Sequence, residues 1–136
     1  MGDLARRLGG IPNAPEVEAR PLRSLFEIAL DNACEGCVRE TYGALTGHVQ
    51  ALRAVDPEIR RAMAMVAEDE TRHAELSWEI HQWILPQLSE GERAEIAAAH
   101  RGAVAALRRE VVGPVDPTIG RVAGLPTPNQ ASIMVD

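Results

Sequence analysis

Glu70 and His73 stand three residues apart in the run Ala67-Glu68-Asp69-Glu70-Thr71-Arg72-His73-Ala74, and Glu35 lies upstream in Cys34-Glu35-Gly36-Cys37. On a helix, a spacing of i, i+3 brings a carboxylate and an imidazole onto one face, so a single turn presents both. Carboxylates are hard oxygen donors that bridge and neutralise cations, and an imidazole fills a terminal position on iron or manganese. One helix with a Glu beside another with Glu-x-x-His is half of a dinuclear carboxylate site. The whole site takes a Glu from each of two helices and Glu-x-x-His from each of two more. Glu35 and Glu70 are then candidate bridging or terminal carboxylates, and His73 a candidate terminal ligand. The competing reading is a metal-free polar layer in a bundle core, its carboxylates paired with Arg39 or Arg72. No general base, nucleophile or cofactor-binding loop accompanies these residues.

The elements that must position them are helices. Periodic segments run from about Pro21 to Ala54 and from about 57 to 85. Asp56 forms an N-cap ahead of Pro57 and Glu58 in the first turn of the second segment. Ser89 with Glu92 spells a capping box that opens a third helix reaching about Val111. A very short connection makes the first two helices antiparallel neighbours. Steps of four and three along the second give Ile59, Met63, Val66, Glu70, His73, Ser77, Ile80 and Ile84, a seam interrupted by polar residues at mid-helix. The third helix places Ile96, His100, Val104, Leu107 and Val111 on one face. Residues 1–20 read as a loose arm, 21–112 as the helical domain, and 113–136 as a Pro-rich flexible tail.

The first helix offers two carboxylates. Its seam reads Leu25, Ile28, Asp31 or Asn32, Glu35, Val38, Tyr42, Leu45, Val49, Leu52, which turns Glu35 inward. Glu40 lies roughly 140° around an α-helix from Glu35 and should face outward or toward a flank. Counting levels from the turn instead puts Glu40 nearer the height of Glu70. Face favours Glu35, height favours Glu40, and the first argument carries more weight.

Together, Cys34-Glu35-Gly36-Cys37-Val38-Arg39-Glu40-Thr41-Tyr42 and the Glu70–His73 run resemble the ferritin-like superfamily, in particular its rubrerythrin-type and related bacterial members. There a helix with Glu, Arg four on and Tyr seven on precedes one reading A-E-x-E-x-x-H-A. Arg39 and Tyr42 stand at those offsets from Glu35, over a likeness spanning roughly residues 25–84. The resemblance implies an all-α fold, half of a ferritin-like four-helix bundle, with two iron ions per complete site (manganese as the alternative). It also implies iron or peroxide oxidation chemistry of a non-haem oxidoreductase. A longer member has two helix pairs where this chain has one resembling the second. A second copy in a homodimer, a complementary ferritin-like half, or an upstream half would complete the site. A lone two-helix hairpin with an apolar seam has too little to pack against, which also favours self-association.

Composition removes other classes. The 136 residues are 46% apolar with only 3% aromatics, and all fourteen basic residues are Arg. Ala, Leu, Arg and Glu favour helix over sheet. A net charge of −6 argues against a nucleic-acid partner, which calls for a basic stripe and stacking aromatics. No apolar run is long enough to span a membrane, and MGDLARRLGG lacks the apolar stretch of a signal peptide. A cytoplasmic location is expected. Cys34 and Cys37 read as two small buried thiols, since no βαβ context or further zinc ligand accompanies them. His48, His81 and His100 read as packing or surface residues, and Tyr42 as core. Glu68 and Asp69 read as solvated.

Overall fold

The computed structural model describes residues 2–17 and 21–136, and every regular element among them is helical. A short helix α1 (Gly2–Arg7) precedes α2 (Leu25–Asp31), a π-helical segment (Asn32–Glu40) and α3 (Thr41–Arg53), which follow one another without a break. After a three-residue turn come α4 (Pro57–Ile84), a 3₁₀ turn (Leu85–Gln87), α5 (Glu90–Glu110), α6 (Pro117–Ala123) and α7 (Pro128–Val135). Residues 18–20 of the expected N-terminal arm, with Met1, lie outside the described residues.

Local chemistry sets the boundaries. Helix α2 begins four residues later than Pro21 because Ser24 and Glu27 close a reciprocal capping box, satisfying two otherwise unpaired backbone donors. Asp56 Oδ1 accepts from the backbone N–H groups of Glu58 and Ile59 at 2.7 and 3.3 Å, opening α4 where the sequence places it. Ser89 and Glu92 form the second box, ahead of α5.

The α2–α3 stretch and α4 run antiparallel. Near the turn, Gly47 meets Ala67: a Cβ built on Gly47 would sit 3.1 Å from the Ala67 Cβ. Farther along, His48 Nε2 lies 3.1 Å from Thr71 Oγ1, and Trp78 Nε1 donates to Thr41 Oγ1 at 3.1 Å. The buried line on the first helix is Ala29, Ala33, Gly36, Cys37, Val38, Ala44 and Gly47. The expected seam of larger residues is displaced: Leu25, Leu45 and Leu52 are exposed. Small side chains let the backbones approach closely, so Ala and Gly take the centre and the leucines move to the flanks.

Helix α5 packs mainly on the π segment and α2. It buries Ile96 and Leu107, two members of its expected face. Ile84, Leu88 and Ile96 close one end of the core on Ala29 and Ala33.

Both terminal segments depart from the sequence reading. Arg7 pairs with Asp56 and Glu58 at 3.0 and 2.5 Å, so the expected loose arm begins as a helix tied to the start of α4. The Pro-rich stretch 113–136, read as flexible, folds back as α6 and α7. Pro117 and Pro128 each sit in a first turn, behind the caps Asp116 and Thr127, where a missing N–H costs nothing. Prolines that break one long helix here start two short ones. The Val55 N–H donates to the Val122 carbonyl at 3.2 Å, and Gln50 Nε2 donates to the Ala123 carbonyl at 3.1 Å. Gly124, at φ +70°, passes so near Ala54 that a Cβ there would lie 2.8 Å from the Ala54 Cα. Both the left-handed backbone and the close approach require glycine.

Candidate functional site

The hairpin meets most tightly at Ser77. Its hydroxyl donates to Glu40 Oε2 at 3.1 Å, and its carbonyl accepts from Asn32 Nδ2 at 2.9 Å and Cys37 Sγ at 3.6 Å. A Cβ on Gly36 would lie 2.5 Å from Ser77 Oγ and 2.7 Å from Asn32 Oδ1, so only glycine fits between these groups. Ser77 is buried, and both its polar groups have partners, as burial demands.

The π winding decides which carboxylate faces inward. Bonding from i to i+5 widens the turn and shifts the phase of everything that follows relative to an α-helix. Counting at 100° per residue therefore misplaces Glu35 and Glu40. Glu35, expected to point inward, is exposed (side chain 62%), with its carboxylate 3.5 Å from Arg39 Nε. Glu40, expected at the outside or a flank, is half-buried and reaches across the hairpin to Ser77. Glu40, and not Glu35, is thus turned toward α4, at the level of Ser77, about two helical turns from Glu70.

On α4, Ser77, His73 and Glu70 share a stripe, being four and seven residues apart. Glu70 is partly covered (34%) and His73 more open (58%), with His73 Nδ1 3.8 Å from Glu70 Oε2. That is an i, i+3 pairing too long for a hydrogen bond. Gly43, on the neighbouring helix, has open space where a side chain would stand. Among the described residues, no three His, Cys, Asp or Glu side chains converge to hold a metal ion. Glu35, Glu40, Glu70 and His73 are thus not gathered into one cluster within a single chain.

Arg39 is committed elsewhere. It forks onto both carboxylate oxygens of Glu110 at 2.9 Å, joining the π segment to the end of α5. The Arg39 hydrogen bond holds the Glu110 carboxyl below its usual range. Arg72 pairs with Asp69 on the outer side of α4.

Both cysteines are free, Cys37 buried and Cys34 half-buried. Burial pushes the Cys37 thiol up to about 11, with the Glu40 charge and Cys34 adding to it, and burial raises Cys34 as well. Both shifts disfavour the thiolate that redox or metal chemistry uses. Two of the histidines read as packing or surface residues pack together: the His81 and His100 ring centroids are 6.5 Å apart, with Trp78 at 5.8 and 5.9 Å from them. The sequence carried a signal for this, since Trp78 and His81 are three apart on α4 and His100 falls on the Ile96 face of α5.

No helix among the described residues is long and apolar enough to cross a membrane. Comparison with protein-family models, with curated proteins and with solved structures finds no match.

Proposed function

We propose that this chain is a metal-binding helical protein of the ferritin-like kind, with a dinuclear iron or manganese centre completed by a second copy. One observation carries the reading. Glu40 reaches Ser77, and His73 lies one helical turn from Ser77 on the stripe that also holds Glu70. Glu40 thus stands at the level of Ser77, with His73 about one turn and Glu70 about two turns along the same stripe of the facing helix. Their types fit the metal, being two hard carboxylates and an imidazole. Their number does not fill a dinuclear site, so a second chain would supply the other half. Glu40 takes the role that the resemblance assigns to Glu35, whose carboxylate faces solvent beside Arg39. A bound redox metal would supply oxidation chemistry toward oxygen or peroxide; the chain's own residues hold the ions and neutralise their charge.

A second reading, a non-catalytic helical interaction module with a metal-free polar core, draws on a different surface. Met65, Leu76 and Trp83 are 70%, 52% and 63% exposed, and spacings of eleven and seven put them on one outward stripe of α4. Metal analysis of protein purified with Fe(II), combined with a solution mass, separates the two. About two metal ions per dimer are expected, and their loss in both Glu70→Ala and His73→Ala. Unchanged binding in both variants sinks the metal site. A metal-free dimer broken by Leu76→Glu favours the interaction module.

A further inference from the structure

Between α4 and α5, on a different part of the hairpin from Glu70 and His73, lies a half-open cavity of about 250 Å³. Its chemistry is one-sided. Helix α5 contributes Arg93, His100 and Arg101, and α4 contributes His81 with Trp78 and the following Leu85. Arg93, Ala97 and Arg101 are at i, i+4 and i+8, with His100 alongside, so one face of α5 carries two guanidinium groups and an imidazole. No carboxylate lines the cavity. Among the described residues, neither Arg93 nor Arg101 has a carboxylate within ion-pair distance, although seven of the chain's other arginines and histidines do.

The polar groups here are also incompletely used. His81 Nδ1 is buried without a hydrogen-bond partner, an omission that ordinarily destabilises a fold. Arg93 donates one N–H to the Leu88 carbonyl at 2.6 Å, which anchors its guanidinium and leaves most of its five donors unassigned. The Trp78 N–H points away, to Thr41, so the indole offers the cavity an aromatic edge. Leu85 and Ile96 add an apolar wall. The lining itself offers two guanidinium groups and two imidazoles and no carboxylate, which suits an anionic head group.

We propose that this cavity binds a small organic oxyanion, its phosphate or carboxylate head between Arg93, Arg101 and the histidines and its short apolar body against Trp78, Leu85 and Ile96. Planar guanidinium groups favour such heads because they offer paired N–H donors. The volume lies below the range of drug-sized pockets, which limits the body to roughly one ring. This site is independent of the metal proposal and shares no residue with it.

Calorimetric titration of the full chain with phenyl phosphate, benzoate and inorganic phosphate tests the assignment. Saturable binding of phenyl phosphate or benzoate is expected, tighter than inorganic phosphate, and the preferred one of the two identifies the head group. The doubly substituted Arg93→Gln, Arg101→Gln chain should bind that probe at least about fivefold more weakly, with its helical circular dichroism unchanged since both side chains are exposed. His81→Phe should weaken it too and serves as the readout if the arginine variant misfolds. No saturable binding of either organic probe, or less than that loss in the folded variants, overturns the proposal.

Discussion

Glu40 and Ser77 are joined across the two long helices by a hydrogen bond of 3.1 Å, at the level where Gly36 leaves no room for a side chain. Glu40 is the carboxylate of this stretch that meets α4, while Glu35 stays exposed beside Arg39. Gly36→Ala should destabilise the chain by about 1–3 kcal/mol, the usual cost of overpacking. Its Cβ would meet both Ser77 and Asn32, so Gly36→Ala with Ser77→Gly should recover part of that loss. Chemical denaturation of the single and double variants measures the recovery. Additive losses would show that the clash does not lie at Ser77.

The same contact separates the two candidate carboxylates. If metal binds as proposed, Glu40→Gln should reduce Fe(II) stoichiometry while Glu35→Gln leaves it near wild type. The reverse outcome would restore Glu35 as the ligand.

His81 gives a pH dependence of known sign. Burial, and then the neighbouring His100, lower its affinity for a proton in the folded chain below the ordinary value of 6.5. The unfolded chain therefore takes up the proton first. The contribution is complete above 6.5 and is lost as the pH falls through that value toward the folded one. Thermal melts between pH 7.5 and 5 should show a steeper decline for wild type than for His81→Phe. Parallel curves would rule out His81 as the source.

The thiols should react in a fixed order. With Cys37 buried and raised to about 11, very little of it is thiolate at pH 8, whereas Cys34 is half-buried and less shielded. Alkylation of the native protein should label Cys34 first and both only after denaturation, as intact-mass spectra would reveal. Early labelling of Cys37 would contradict the tight packing at Ser77.

Gly124→Ala addresses the folded-back tail. A Cβ in that left-handed turn would press into the Ala54 backbone, so the variant should lose the Val55–Val122 hydrogen bond. Faster amide exchange and proteolysis within 113–136 are expected, with α4 still protected.

Helix type, the antiparallel hairpin and two of the three main starts were legible because Asp56 and Ser89 are local signals whose geometry does not depend on distant residues. Ser24 and Glu27 carry the same kind of signal for α2, and their capping box, not Pro21, sets its start. The facing of Glu35 and Glu40 is not legible from an even count of 100° per residue, because the π segment between Asn32 and Glu40 changes the phase. A seam drawn through the large apolar residues misses Ala33, Ala44 and Gly47, because the small residues make the close approach. Proline read only as a helix breaker hides the two short helices of the tail. Pairing it with Asp116 and Thr127 turns the same prolines into starts.

The π segment also makes the count of residues between Asn32 and Glu40 a structural variable in its own right. Deleting one would rotate the preceding helix by about 100° relative to the following one. That would carry Ala29 and Ala33 out of the core and turn a different set of side chains toward α4. A substitution on the surface of this helix changes one side chain, but an insertion or deletion here re-addresses an entire face.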